Sequence, residues 1–258
     1  MTHKKNKLIL VLEGNIGAGK STFLDVLRRN LDIDVIFEPT NKWQNVGASG
    51  NLLDLFYSDT PRWAYTFQSY AFISRVQTQQ EHEERSADDK VHVIERSVYC
   101  DRYCFAKNCF ESGLMSELEW QIYKEWFGWL VEKYTTRPSG FVYLQASPEI
   151  CYQRLTKRNR SEETEIPLAY LQALHQRHED WLIEKKDVIE GLKNVPVLTL
   201  DCNKDFEADL EQQQKHIQAV QDFIEKIGTV VPAMVTTFEV QENKEKNQEV
   251  KEQTSCEK

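Results

Sequence analysis

Five short apolar runs, at residues 8–12, 35–37, 91–94, 141–144 and 195–200, recur along the chain between long segments of helical periodicity. Runs this short, without polar alternation, read as strands buried on both faces. The stretches at 63–84, 116–134 and 167–185 place apolar residues at three-to-four spacing with Glu, Gln, Lys and Arg between them, as amphipathic helices do. Connections of that length force neighbouring strands to run parallel. The pattern therefore predicts one α/β domain over residues 1–228, a five-stranded parallel sheet with helices on both faces, three layers in all. Past residue 228 the pattern stops: 229–237 is a Val- and Pro-containing connector, and 239–258 is mostly Glu, Lys, Gln and Asn. Residues 229–258 are expected to form a charged, disordered tail.

In such a sheet, ligands bind beyond the carboxyl ends of the strands. The first apolar run leads directly into Gly14-Asn15-Ile16-Gly17-Ala18-Gly19-Lys20-Ser21, followed by Thr22 and a helix-like segment over 22–29. This fills the pattern G-x-x-x-x-G-K-S/T between a strand and a helix. The glycines let successive backbone N–H groups curl around a phosphate, Lys20 reaches the outer phosphates, and the Ser21 hydroxyl suits Mg²⁺. A P-loop NTPase-like fold with ATP as ligand is the expectation.

The other strand ends carry charge as well. The second leads to Glu38-Pro39, the third to Glu95-Arg96-Ser97, and the fifth to Asp201 and the polar turn Asn203-Lys204-Asp205. A carboxylate at the Glu95 position can hold magnesium or take a proton from an attacking hydroxyl, with Arg96 as a fixed charge alongside. Arg154, Arg158 and Arg160 lie near one side of a helix end that runs into a loop. Beside a P-loop, they read as an Arg-rich lid that closes over phosphates and excludes water. In the aromatic stretch Tyr57, Trp63, Tyr65, Phe67, Tyr70 and Phe72, most rings are expected to pack in the core. Phe67, Gln68, Ala71 and Arg75 share one helix face suited to the wall of a nucleobase pocket.

Composition narrows the partners. The net charge of −9 argues against a long nucleic acid, whose backbone selects basic faces. No run approaches the ~18 apolar residues needed to span a bilayer, and the basic residues 1–7 are not expected to be a removable leader. The six cysteines are unevenly spaced and fit free thiols in a reducing, cytoplasmic setting. Cys100, Cys104 and Cys109 lack a C-x-x-C pair or an accompanying His and read as packing residues; His175 and His178 read as one helix face.

Taken together, these residues resemble the deoxynucleoside kinase family, in its deoxycytidine, deoxyguanosine and deoxyadenosine kinase branch. The likeness rests on the P-loop, Glu38-Pro39 with Trp43, the segment Arg62 to Gln68, Glu95-Arg96-Ser97-Val98-Tyr99-Cys100-Asp101-Arg102-Tyr103, the segment Tyr143 to Pro148, the lid arginines and Ile166-Pro167-Leu168. It covers residues 8 to about 227. Cys100 stands where serine is usual.

The resemblance implies ATP-dependent phosphorylation of a deoxyribonucleoside 5′-hydroxyl in nucleotide salvage. By it, Glu95 is the general base with Arg96 and Glu38 near the same oxygen, and Lys20, Arg154, Arg158 and Arg160 clamp the donor phosphates. Ser21 and Glu95 hold Mg²⁺. Tyr57 and Glu163 match positions that bind the sugar 3′-hydroxyl. Gln68, Arg75 and Asp101 match those that read the base, packed by Trp43, Phe67 and Phe105, with Ala71 keeping the wall small. Residues 201–206, with Asp201, Asp205 and Phe206, look like the loop over the donor base. Thymidine is expected to be poor, and the family's habit implies a homodimer through the helix carrying Trp126 and Phe127. The rival readings are a nucleoside monophosphate kinase of the thymidylate kinase type and a non-catalytic subunit with the kinase fold.

Overall fold

The computed structural model describes residues 7–47, 50–85 and 90–229. Its centre is a five-stranded sheet in the order β2-β3-β1-β4-β5, built from β1 (Ile9–Gly14), β2 (Ile33–Ile36), β3 (Val91–Glu95), β4 (Gly140–Gln145) and β5 (Val197–Asp201), all parallel. Side chains alternate across a strand, and the two sets go to two cores. Ile9, Val11, Phe141 and Tyr143 join one cluster, while Leu10, Leu12, Val142 and Leu144 join the other. Both faces of the central strands are therefore dry, which is why their sequence is apolar without alternation.

Helices cover both clusters. On one face lie α2 (Thr40–Gln44), α3 (Leu52–Ser58), the 26-residue α4 (Thr60–Arg85) and α7 (Glu117–Tyr134). On the same side, α5 (Val98–Cys100) passes through a π turn at Asp101–Ala106 into α6 (Lys107–Glu111). The other face holds α1 (Lys20–Asn30), α8 (Pro148–Arg158), α9 (Leu168–His178) and a last helix, α11, over 210–229. A short α10 (Glu190–Lys193) precedes β5. The predicted helix at 167–185 is α9 continued by a π turn over Glu179–Ile183.

One predicted strand is displaced. The run at 35–37 belongs to a strand at Ile33–Ile36, and Phe37 lies beyond it, exposed and against the cavity described below. As an edge strand β2 pairs only with β3, so it tolerates Asp34 in mid-strand, and that polar residue hid the first half of the strand. The last described helix ends at residue 229, and the expected tail beyond it lies outside the described residues.

Candidate active site

The loop after β1 is built around left-handed glycines. Gly17 has φ 80° and Gly19 has φ 94°; a Cβ on Gly17 would sit 2.4 Å from the carbonyl oxygen of Cys151. Only glycine fits that approach. Gly19 is also the N-cap of α1 and supplies no side-chain cap, so the first N–H groups of α1 remain available to an anion. Asn15 pins the loop, donating from Nδ2 to Leu171 O at 2.8 Å and accepting from Ile16 N at 2.9 Å. Lys20 Nζ donates to the carbonyls of Gly14 at 3.1 Å and Asn15 at 2.8 Å. Burial and the Arg96 guanidinium lower its pKa to about 8, against the pull of Glu38 and Glu95.

Sheet register brings the third strand's charges to this loop. Glu95 is the Cα partner of Leu12, and the Ser21 hydroxyl donates to Glu95 Oε1 at 2.7 Å. The other oxygen, Oε2, is 3.4 Å from the backbone N of Glu38. Arg96 follows at φ 61°, an uncommon conformation for a residue with a Cβ. That turn breaks the strand alternation, so Glu95 and Arg96 both line the same cavity, with Arg96 Nε 3.3 Å from Glu38 Oε1.

Two buried residues hold this corner. Glu13, wholly buried, accepts from Ser97 N at 3.0 Å and Ser97 Oγ at 2.6 Å, and burial raises its pKa despite the nearby Arg96. On the other side, Arg96 Nη1 donates to Cys100 Sγ at 3.2 Å, and Cys100 Sγ lies 3.5 Å from His178 Nε2. The expectation that Cys100 and Cys104 lack a nearby His is corrected here. The fold brings His178 from α9 to both thiols, which sequence spacing does not reveal. Glu13 carried a signal, a lone carboxylate inside an apolar strand, that sequence reading passed over.

A cavity of about 390 Å³ runs from the P-loop to a chamber walled by α2, α3, α4 and the π turn. Phe67 stacks on Phe56 at 4.5 Å and meets Trp43 edge-on at 5.6 Å. Trp43 Nε1 donates to Ser74 Oγ at 2.8 Å. Phe56 and Leu53 line the chamber and were not foreseen; they sit on α3, just before the aromatic stretch. Trp63, Tyr65 and Tyr70 pack against the core instead.

At the chamber's far end, Arg75 bridges two carboxylates. Its Nε donates to Asp101 Oδ2 at 2.8 Å and its Nη2 to Glu38 Oε1 at 2.6 Å. Arg75 Nη1 is buried with no hydrogen-bond partner among the described residues, which leaves a donor for a ligand. Burial works to raise the Glu38 pKa, yet Arg75 and Arg96 hold it down at about 2. Asp101 goes the other way: burial lifts it to about 6 even against Arg75. Gln68 and Ala71, both buried, and half-buried Phe105 complete this end, with Arg96 over the Phe105 ring at 4.6 Å. The π turn sets Asp101 and Phe105 on the cavity side.

The lid arginines divide. Asn159, at φ 49°, turns the chain after α8 so that Arg158 and Arg160 both reach the buried Glu163, the latter at 3.2 Å. All three line the cavity, beside Tyr57, whose phenol pKa is raised by burial and by the Glu163 charge. Arg154 instead bonds Ala18 O at 3.4 Å and Lys204 O at 2.9 Å. It therefore joins the P-loop to the turn after β5. Within that turn, Asp201 and Asp205 are exposed and accept from Asn203 and Glu207, outside the cavity. Phe206 is buried under Gly19 and packs edge-on to Phe23 at 5.6 Å. Thr22 and Ile16 reach the cavity, while Gly14, Asn15 and Ala18 shape the loop from outside it.

This arrangement can bind a polyphosphate at one end and a flat, polar ring at the other, with a carboxylate between them. Among known proteins, residues 10–225 match the deoxynucleoside kinase family. The chain is 43% identical over 238 residues to deoxycytidine kinase 2 of Gallus gallus, covering 83% of this chain and 89% of that one. It is 39% identical over 235 residues to deoxycytidine kinase of Homo sapiens, with the same coverage. Against the mitochondrial deoxyguanosine kinase of Xenopus laevis it is 40% identical over 226 residues, covering 77% of this chain and 82% of the relative.

Proposed function

This chain belongs to the deoxynucleoside kinase family and is an enzyme of nucleoside 5′-phosphorylation in nucleotide salvage; from that premise we propose how its own residues divide the work. Glu95 is the general base. It takes the proton of the nucleoside 5′-hydroxyl as that oxygen bonds to the γ-phosphorus and the bond to the departing diphosphate breaks. Arg96 and Glu38 fix the same oxygen. Lys20, Arg154, Arg158, Arg160 and the P-loop N–H groups carry the charge that develops on the phosphoryl oxygens.

Ser21 and Glu95, an uncharged hydroxyl and a carboxylate at 2.7 Å, form a hard-oxygen pair that fits Mg²⁺. When bound, Mg²⁺ supplies charge neutralisation on the triphosphate. Tyr57 and Glu163 receive the sugar 3′-hydroxyl, and residues 201–206 cover the donor base.

The substrates we propose are nucleosides whose base bears an exocyclic amino group: deoxycytidine and the deoxypurine nucleosides. The carrying observation is the Arg75–Asp101 pair at the chamber end, a carboxylate free to accept from an amino group and a guanidinium with one donor left over. Thymine offers a carbonyl where cytosine has its amino group. Glu38 and Glu95 stand together beside the P-loop, with Glu95 Oε2 3.4 Å from the Glu38 backbone N, which suits a neutral hydroxyl acceptor better than a monophosphate.

The catalytic unit is residues 1–228, and the family match within it ends at 225. Trp126 and Trp129 stand half exposed on α7, an apolar face suited to pairing two copies of the chain. The five cysteines among the described residues are free and buried, which suits a reducing cytoplasm, and no helix among the described residues is long and apolar enough to cross a membrane.

Initial rates with magnesium-ATP and each of deoxycytidine, deoxyadenosine, deoxyguanosine and thymidine test the reading. Fast conversion of amino-bearing nucleosides and slow conversion of thymidine is expected. Turnover of nucleoside monophosphates in preference to nucleosides would overturn it.

A further inference from the structure

At the amino ends of edge strand β2 and its neighbour β3, away from the cavity, three side chains bring metal-ligand atoms together. Asp34 on β2 and His92 on β3 are direct Cα partners, so their side chains leave the same face of the sheet. The last turns of α4 bring His82 onto that face. His82 Nε2 lies 2.9 Å from Asp34 Oδ2 and 3.3 Å from His92 Nδ1, and His92 Nδ1 lies 3.6 Å from the same Asp34 oxygen. The two imidazole rings meet nearly edge-to-face, at 84° with centroids 5.4 Å apart.

The 3.6 Å edge from His92 Nδ1 to Asp34 Oδ2 is too long for a hydrogen bond. A cation at the centre serves all three lone pairs together. Tetrahedral zinc with bonds of about 2.0–2.1 Å sets its ligand atoms about 3.3–3.4 Å apart, which the three observed edges bracket. Two imidazoles and one carboxylate are a zinc-type donor set rather than one for magnesium.

We propose that Asp34, His82 and His92 form a binding site for a zinc-class divalent cation, with solvent as the fourth ligand on the side where Asp34 and His82 are partly exposed. The cation fastens together the far ends of the elements that carry the acceptor-side residues. His82 follows Arg75 by two turns of α4, Asp34 precedes Glu38 on β2 and its exit, and His92 precedes Glu95 on β3. The other His-containing cluster among the described residues, Cys100, Cys104 and His178, is wholly buried, and the Arg96 guanidinium beside Cys100 opposes a cation there.

The test uses the full chain, stripped with chelator and then held in excess magnesium-ATP to occupy the P-loop. Zinc per chain is measured after equilibrium dialysis, and the visible spectrum is recorded after cobalt substitution. One zinc per chain and the intense bands of tetrahedral cobalt without thiolate charge transfer are expected. His82→Gln and Asp34→Asn, both at partly exposed positions, should keep the circular dichroism of the parent and lose more than about tenfold in zinc affinity. Cys104→Ser should bind as the parent does. Absence of zinc binding by the parent, equal binding by the His82 and Asp34 variants, or loss of zinc only in Cys104→Ser would each overturn the assignment.

Discussion

The Ser21 hydroxyl and the Glu95 carboxylate are joined by a 2.7 Å hydrogen bond that spans 74 residues of sequence. It exists because β3 lies beside β1 in parallel register, so the end of one strand faces the loop after the other. Glu95→Gln keeps the shape and an acceptor for Ser21 but removes the carboxylate proposed as the base. The expected outcome is a kcat lower by about 10²–10⁴, with thermal stability and the affinity for ATP measured without magnesium close to the parent. Steady-state rates beside a nucleotide-binding titration would decide it, and an undiminished kcat would remove Glu95 from the proton transfer.

Asp101 and Arg75 are both buried, and each is the other's main support. Asp101→Ala leaves Arg75 Nε without its partner, and breaking a buried pair costs about 3–5 kcal/mol. The surviving bond to Glu38 puts the expected loss at the lower end. Arg75→Met with Asp101→Ala removes both charges and should cost less than the sum of the single changes, since the two sites touch. It should also shrink the preference for deoxycytidine over thymidine by more than about tenfold. Urea melts and paired kcat/KM measurements read both effects; an unchanged base preference would separate this pair from base recognition.

How much of this was legible in the sequence depends on how local each signal is. The P-loop, Glu95-Arg96 and four of the five strands stood out because spacing and periodicity are properties of contiguous residues. The first half of β2 was hidden by Asp34, a polar residue that only an edge strand tolerates. Pairings set by sheet register or helix phase left no trace: Glu13 beneath Ser97, His178 against Cys100, and the convergence of Asp34, His82 and His92. The left-handed Arg96 and the π turn at Asp101–Ala106 are likewise invisible in residue type, and they decide which side chains reach the cavity.

Gly17 and Gly47 make a controlled pair. Both have positive φ, 80° and 58°, but a Cβ on Gly17 would sit 2.4 Å from a backbone oxygen of α8, whereas nothing among the described residues lies within 4 Å of one on Gly47. Gly47→Ala carries only the left-handed penalty, about 1–2 kcal/mol. Gly17→Ala adds overpacking against immovable backbone, for a total of about 2–5 kcal/mol, and distorts the phosphate loop. A large fall in kcat/KM for ATP is therefore expected for Gly17→Ala alone. Equal effects from the two substitutions would show that the contact with Cys151 does not set the loop's shape.

Two perturbed groups at opposite ends of the cavity predict opposite pH limbs. Burial raises Asp101 to about 6, and the form that accepts from an amino group is the carboxylate. The kcat/KM for the nucleoside should therefore fall as pH drops through about 6. Folding responds to the same group with the reverse sign. A raised carboxyl favours the folded state in its protonated form, so that contribution is present below the unfolded value of 3.8 and is lost as pH rises through about 6. Lys20, lowered to about 8 chiefly by burial, grips phosphate as the ammonium, so kcat/KM for ATP should fall as pH rises through about 8. At saturating ATP the bound phosphates favour the charged amine, so kcat should keep its value beyond that point. Asp101→Asn should erase the acid limb for the nucleoside and leave the alkaline limb for ATP in place. An acid limb that survives in Asp101→Asn would assign it to another carboxylate; Glu38 is the less suited candidate, because Arg75 and Arg96 hold it below the ordinary carboxylate value.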